Sequence, residues 1–223
     1  MSENQPVPDG SPAVAGPPVP GIEAIGLKRA FGEVRAVDGI TFTAPAGAVT
    51  ALIGPNGSGK TTLLLLLAGL LRPDAGRANI AGRDVGAANL EARARVGWMP
   101  DVFGTWDALT CTEILCTFAH AYGISRSDSG ARVAELLQTV HLAEFAASPA
   151  RVLSRGQKQR LGLARALVHD PEVLLLDEPA SGLDPRSRIE LRDLLRSLAA
   201  SGKTVLVSSR ILSELEEDRK SVV

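Results

Sequence analysis

Val49-Thr50-Ala51-Leu52-Ile53-Gly54-Pro55-Asn56-Gly57-Ser58-Gly59-Lys60-Thr61-Thr62 is the stretch that decides the fold. It opens as a short apolar, β-branched run, stops at glycine, and passes into the strong helix formers of Lys60–Leu71. That order predicts a strand, a loop and a helix. Residues 54–61 fit G-x-x-x-x-G-K-[ST], in the strand-to-helix context that gives such a match its meaning. Glycines in the loop Gly54, Pro55, Asn56, Gly57, Ser58, Gly59 let the backbone curl so that successive N–H groups face phosphate oxygens. The helix that follows adds positive potential at its N-terminus. In this reading Lys60 reaches the β- and γ-phosphates, the Thr61 hydroxyl ligates Mg²⁺, and Thr62 completes the cradle.

Further along, Val173-Leu174-Leu175-Leu176-Asp177-Glu178 is an apolar strand ending in two carboxylates. A strand placed beside the phosphate loop brings Asp177 to the metal, which it holds through water. Glu178, one residue on, is placed to polarise a water for attack on the terminal phosphate.

Around these two segments the chain alternates strands and helices. Strands are expected at Ile22–Leu27, Ile40–Thr43, Val49–Ile53, Ala78–Ile80, Gly97–Met99, Val173–Leu176 and Thr204–Val207. A turn is expected at Gly82-Arg83-Asp84, and from about Leu109 to Val168 the pattern is mostly helical. Asp184 is placed to cap a helix with Pro185 in its first turn and Leu191, Leu194, Leu195 and Leu198 on one face. Alternating strands and helices argue for a mostly parallel sheet, and the long helical stretch between the two motifs for a helical subdomain. Residues 1–21, rich in Pro, Gly, Ala and Ser, read as a disordered tail.

The 223 residues suffice for one α/β domain and not two. Aromatics at 4% leave the core to Leu, Val, Ala and Ile, and a net charge of −1 gives no footprint for nucleic acid. Cys111 and Cys116 form no metal or redox motif and read as free thiols. The longest apolar run, Leu63–Leu71, is about half the ~18 residues of a membrane span. No basic region followed by an apolar stretch marks a secretory signal at the N-terminus. A cytoplasmic protein is expected, one that works at a membrane only by docking onto a partner.

Leu153-Ser154-Arg155-Gly156-Gln157, about twenty residues before Asp177, closely resembles the LSGGQ signature of ABC-type ATPases. Asp177-Glu178-Pro179 and Ser181-Gly182-Leu183-Asp184-Pro185 resemble that family's Walker B and D-loop segments. The resemblance covers residues 22–217 in the family's order. It implies an α/β P-loop NTPase core with a mostly parallel sheet, an antiparallel β subdomain, and a helical subdomain over about residues 102–165. It also implies that two cassettes, here a homodimer, pair head to tail with Mg·ATP between them. The phosphate loop of one cassette then faces Ser154, Gly156 and Gln157 of the other. A Ser and a Gly at a helix start make a good anion site, which agrees with that implication. Phe31 falls where the family carries an aromatic that stacks on adenine, an interaction worth roughly 1–3 kcal/mol in nucleic-acid systems. Asp184 falls where the family shapes its dimer interface. Met99-Pro100-Asp101-Val102-Phe103, with Leu109-Thr110 following, resembles bacterial single-cassette subunits that serve separately encoded, often exporter-type, integral membrane permeases.

Three positions depart from the family pattern. Asp101 stands where a glutamine is usual, and is carried over as a ligand of Mg²⁺ or its water. Arg155 replaces the first glycine of the signature pair. Arg210, after Val207-Ser208-Ser209, stands where a histidine contacts the γ-phosphate; as a longer, fixed cation it predicts ATP binding with slowed hydrolysis. The helix Ile211–Glu217 has barely begun when the chain ends, and residues 218–223 read as a non-native tail on a longer natural protein. The resemblance therefore implies an ATPase on the inner face of the cell membrane, with Lys60, Asp101, Glu178 and Arg210 as catalytic residues and Thr61, Asp101 and Asp177 at the metal. Two alternatives stay open: a soluble ABC ATPase of translation or DNA maintenance, and a nucleotide-binding cassette with little turnover.

Overall fold

A computed structural model describes residues 20–86, 89–102, 104 and 106–210. The expected N-terminal tail, apart from its last two residues, the helix Ile211–Glu217 and the tail at 218–223 all lie outside the described residues.

Among the described residues, two four-stranded sheets form the frame. The first is antiparallel: β1 (Ile22–Phe31) and β2 (Val34–Ala44) form a hairpin that turns at Gly32. β4 (Ala75–Ile80) pairs on the other side of β1, and β5 (Arg83–Asp84) lies at the edge. The second sheet is parallel throughout, in the order β3 (Val49–Ile53), β8 (Thr204–Ser209), β7 (Val173–Leu176) and β6 (Val96–Met99).

That order settles a point the motifs leave open. The strand bearing Asp177 is not the neighbour of the strand that enters the phosphate loop, because β8 runs between them. Helical crossovers decide which parallel strands meet, and nothing local in an apolar run records that choice.

Strand periodicity divides the core in two. On β7, Leu174 and Leu176 face α3 (Cys111–Ala121), α4 (Arg126–Thr139), α5 (Arg155–Leu167) and α6 (Pro185–Ala200). Val173 and Leu175 face the antiparallel sheet and α1 (Lys60–Leu67). β8 repeats the pattern, with Val205 and Val207 on the first side and Leu206 on the second. All four residues of β7 are buried, as a parallel strand covered on both faces requires.

Helix limits follow local chemistry. α1 ends earlier than the leucine run predicts: Gly69 takes a φ of 65° and Leu70 is exposed. α2 (Leu90–Ala94) was not foreseen; it is five residues long, capped by Asn89, and buries Ala92 alone. Arg83 and Asp84, expected in a turn, pair as β5 instead, and Ala81-Gly82 make the turn. α3 begins with a Thr110–Glu113 capping box, and α6 begins as expected on Asp184 with Pro185 in its first turn. Leu191, Leu195 and Leu198 are buried along α6, and Leu194 packs beside them. Short 3₁₀ turns at Ala143–Phe145 and Ala150–Val152 join α4 to α5. Arg132 of α4 caps the end of α5, donating to the carbonyls of Leu167 and Val168 at 2.7 and 3.1 Å.

Candidate functional site

The loop after β3 owes its shape to its glycines. Gly57 and Gly59 have φ of 80° and 88°, values that side-chain-bearing residues rarely adopt. A Cβ on Gly59 would lie 2.0 Å from the Ala36 carbonyl oxygen of β2, so the antiparallel sheet closes directly over the start of α1. Asn56, Gly57 and Ser58 are exposed, while Lys60 is buried at the mouth of the helix. The Lys60 ammonium donates to the carbonyls of Gly54 and Pro55 at 2.6 and 3.0 Å. Thr62 lies one residue into α1 beyond Thr61, half-buried.

Asp177 and Glu178 leave the end of β7 into this same region. The Thr61 hydroxyl donates to Asp177 Oδ2 at 2.7 Å. Ser208 on β8 donates to Asp177 Oδ1 at 2.6 Å and accepts from the Glu178 N–H at 2.8 Å. The intervening strand therefore supplies a hydroxyl that fixes both carboxylate residues. Ser208 has no place among the residues the motifs single out. Its signal is a polar pair, Ser208-Ser209, closing the apolar run of β8. Glu178 itself sits at φ 50°, a left-handed conformation uncommon outside glycine and characteristic of functional sites. Its carboxylate lies between two cations, with Lys60 Nζ 3.4 Å from Oε1 and Arg210 Nε 3.4 Å from Oε2.

The metal reading can be tested against these donors. Thr61 and Asp177 present one hydroxyl and one carboxylate at the helix start, and the buried Asp101 Oδ1 has no protein partner. Among the described residues no cluster of three or more His, Cys, Asp or Glu side chains forms a metal cage. A sparse oxygen set of this kind suits Mg²⁺, which keeps waters and substrate phosphates as its other ligands.

Phe31 ends β1 and is about half exposed (48%), so it is no core phenylalanine. The Arg29 guanidinium lies 4.9 Å from its ring centroid, and Arg29 is itself tied to Asp74 at 2.7 Å.

The segment Ser154–Gln157 lies at the start of α5. Ser154 is its N-cap: its hydroxyl oxygen accepts from the Gln157 N–H at 3.2 Å, and the Gln157 side-chain oxygen accepts from the Ser154 N–H at 2.8 Å. This is a complete capping box, so the Gln157 side chain is engaged within its own turn. Ser154 accepts through oxygen, and its hydroxyl proton is not used by that bond. Asp184 bonds Ser187 with both carboxylate oxygens, which holds its carboxyl below the usual aspartate range.

Comparison with known proteins finds the family model described as ABC transporter over residues 37–181. The chain is 42% identical over 208 residues to the Nod factor export ATP-binding protein I of Burkholderia lata, covering 92% of this chain and 68% of that one. It is 40% identical over 200 residues to the daunorubicin resistance ATP-binding protein DrrA3 of Streptomyces coeruleorubidus, covering 89% and 63%. The chain thus spans about two thirds of the length of these curated relatives. A nucleotide-free ATP-binding cassette from an ABC transporter superposes with a TM-score of 0.79 at 25% identity, covering 88% of this chain and 84% of that one. CbiO1 of Clostridium perfringens, part of the ABC transporter complex cbiONQ, superposes with a TM-score of 0.77 at 26% identity, covering 86% and 79%.

Proposed function

Since the chain belongs to the ABC transporter family of ATP-binding cassettes, we propose that it hydrolyses Mg·ATP at the Lys60–Glu178 site to energise an integral membrane permease. The observation that carries this reading is the meeting of Thr61, Ser208 and Asp177 at the helix start, with Glu178 held beside Lys60. The loop amides and Lys60 bind the triphosphate, once Lys60 leaves the carbonyls of Gly54 and Pro55. Thr61, Asp177 and Asp101 are the residues to hold Mg²⁺, which neutralises phosphate charge when bound. Glu178 orients and deprotonates the attacking water. Phe31 offers its exposed ring to adenine.

Ser154 and Gly156 bind the γ-phosphate of a second cassette's nucleotide, which makes the working unit a head-to-tail pair, here of identical chains. The permease partner is supported by a groove of about 500 Å³ lined in part by Leu70, Leu90, Trp98, Phe118 and Tyr122, in which Leu70 and Leu90 are exposed. No helix among the described residues is long and apolar enough to cross a membrane. Such a cassette works at the inner face of the membrane, docked on its partner. The relatives' printed names include export and drug-resistance proteins, and an exporter is the corresponding proposal here.

A second reading, a cassette with little turnover, is favoured by one observation. Arg210 occupies Glu178 Oε2, the carboxylate on which hydrolysis depends. The experiment that tests the main reading is phosphate release with ATP retention in the wild type and in Glu178→Gln. The variant is expected to retain ATP and to lose about 10²–10⁴-fold in turnover, the usual weight of a general base. Equal turnover in both proteins contradicts the role of Glu178.

A further inference from the structure

Arg155, which departs from the family's glycine, leaves the helix it begins and reaches across to another segment. Its Nε donates to the Ser181 carbonyl at 2.8 Å, and its terminal Nη2 meets the Ser181 hydroxyl at 3.2 Å. The fork of the guanidinium places two donors on one residue, a geometry that lysine cannot reproduce. The contact is close-fitting. Gly182 has a φ of 68°, and a Cβ there would lie 2.6 Å from Arg155 Nε and 2.7 Å from its Cζ. Gly156 packs on the same side, where a Cβ would lie 3.4 Å from Ser187 Oγ and 3.6 Å from Leu183 Cδ2. A turn further along, Arg160 pairs with Glu190 of α6.

The acceptor turn is bonded in turn to the candidate base. The Ser181 N–H donates to the Glu178 carbonyl at 3.0 Å, and the Leu183 N–H to the Ala180 carbonyl at 3.2 Å. A continuous path therefore runs from Glu178 through Ser181 and Arg155 to Ser154 and Gly156, which flank Arg155 in the chain.

We propose that Arg155 is a positioning residue that locks the first turn of α5 to the loop leaving Glu178, so that both segments respond to nucleotide as one body. The proposal rests on the nucleotide reading above for its second half. The lock itself stands on geometry alone.

Hydrogen exchange on the full chain tests both halves, with and without a slowly hydrolysed Mg·ATP analogue. Arg155→Ala keeps helix propensity and removes the guanidinium. Without nucleotide, the amides of Ser181 and Leu183 are expected to exchange about threefold to tenfold faster in Arg155→Ala, as loss of an exposed charge-assisted hydrogen bond implies. Arg155→Lys should recover part of that protection. With nucleotide, at a dilution where the chain stays monomeric and no second cassette reaches Ser154, wild type should gain protection at Ser181 and also at Gln157 and Lys158, whereas Arg155→Ala should gain it at Ser181 alone. Unchanged exchange at Ser181 and Leu183 in nucleotide-free Arg155→Ala overturns the lock. Protection of Gln157 and Lys158 that persists in Arg155→Ala, or is missing from a wild type whose 54–62 amides are protected, overturns the coupling. If the 54–62 amides of wild type gain no protection, the nucleotide reading has failed instead, and the nucleotide-free comparison still judges the lock.

Discussion

The turn at Lys60 and the turn at Ser154 both begin helices and both present backbone N–H groups, yet they are built differently. Around Lys60 the polar groups come from distant parts of the chain. Thr61, Asp177, Glu178 and Ser208 converge from three elements, and Lys60, Asp177, Glu178 and Ser208 are buried. Around Ser154 the cap itself is local, an exposed capping box that closes on itself within four residues, while the Arg155 side chain reaches out to Ser181. The first turn is preorganised by bonds within one chain. The second is a stable helix start that gains a ligand only when something else brings one, which is the behaviour expected of half a shared site.

Ser208→Ala attacks the convergent turn and should have the largest effect on stability. It leaves the Glu178 amide and one Asp177 oxygen buried without their partner, at a cost of about 1–3 kcal/mol for each group left unmade. A lower urea midpoint is expected, together with roughly tenfold slower phosphate release if misplacing Glu178 weakens base catalysis. An unchanged midpoint would show that the convergence is loose.

Arg210→His tests what the convergent turn contributes to turnover. Removing the half-exposed pair with Glu178 should raise phosphate release about twofold to fivefold, the weight of an ion pair partly screened by solvent. Equal rates would make Arg210 a competent substitute for the family histidine.

Ser154→Ala probes the local turn and should have the smallest effect. Loss of the cap should destabilise the chain by about 1 kcal/mol in denaturant unfolding. ATP retention by the isolated chain should not change, because Lys60 and Ser154 share no bond. Loss of retention in this variant would erase the contrast between the two turns.

The two turns were also unequally legible. The strand, loop and helix around Lys60 could be read directly, because glycine spacing and a β-branched run are local signals. The capping of α6 by Asp184 was legible for the same reason. The place of β8 between β3 and β7 was not, and with it went the role of Ser208, which depends on which strands become neighbours. The lock made by Arg155 was equally hidden, since its acceptor lies 26 residues away. The leucines after Leu67 disguised the end of α1, although Gly69 carried the stop signal. Local chemistry thus revealed the parts that bind, and tertiary pairing determined how they are held.

The most direct test of the central claim is retention of Mg·ATP by the purified wild-type chain and by Lys60→Ala, followed by titration with a fluorescent ATP analogue. The account predicts saturable, magnesium-dependent binding in wild type and a loss of about 10–100-fold in affinity in Lys60→Ala, as removal of a charge-assisted phosphate contact implies. Binding of equal strength in the two proteins, or none in the wild type, would contradict it.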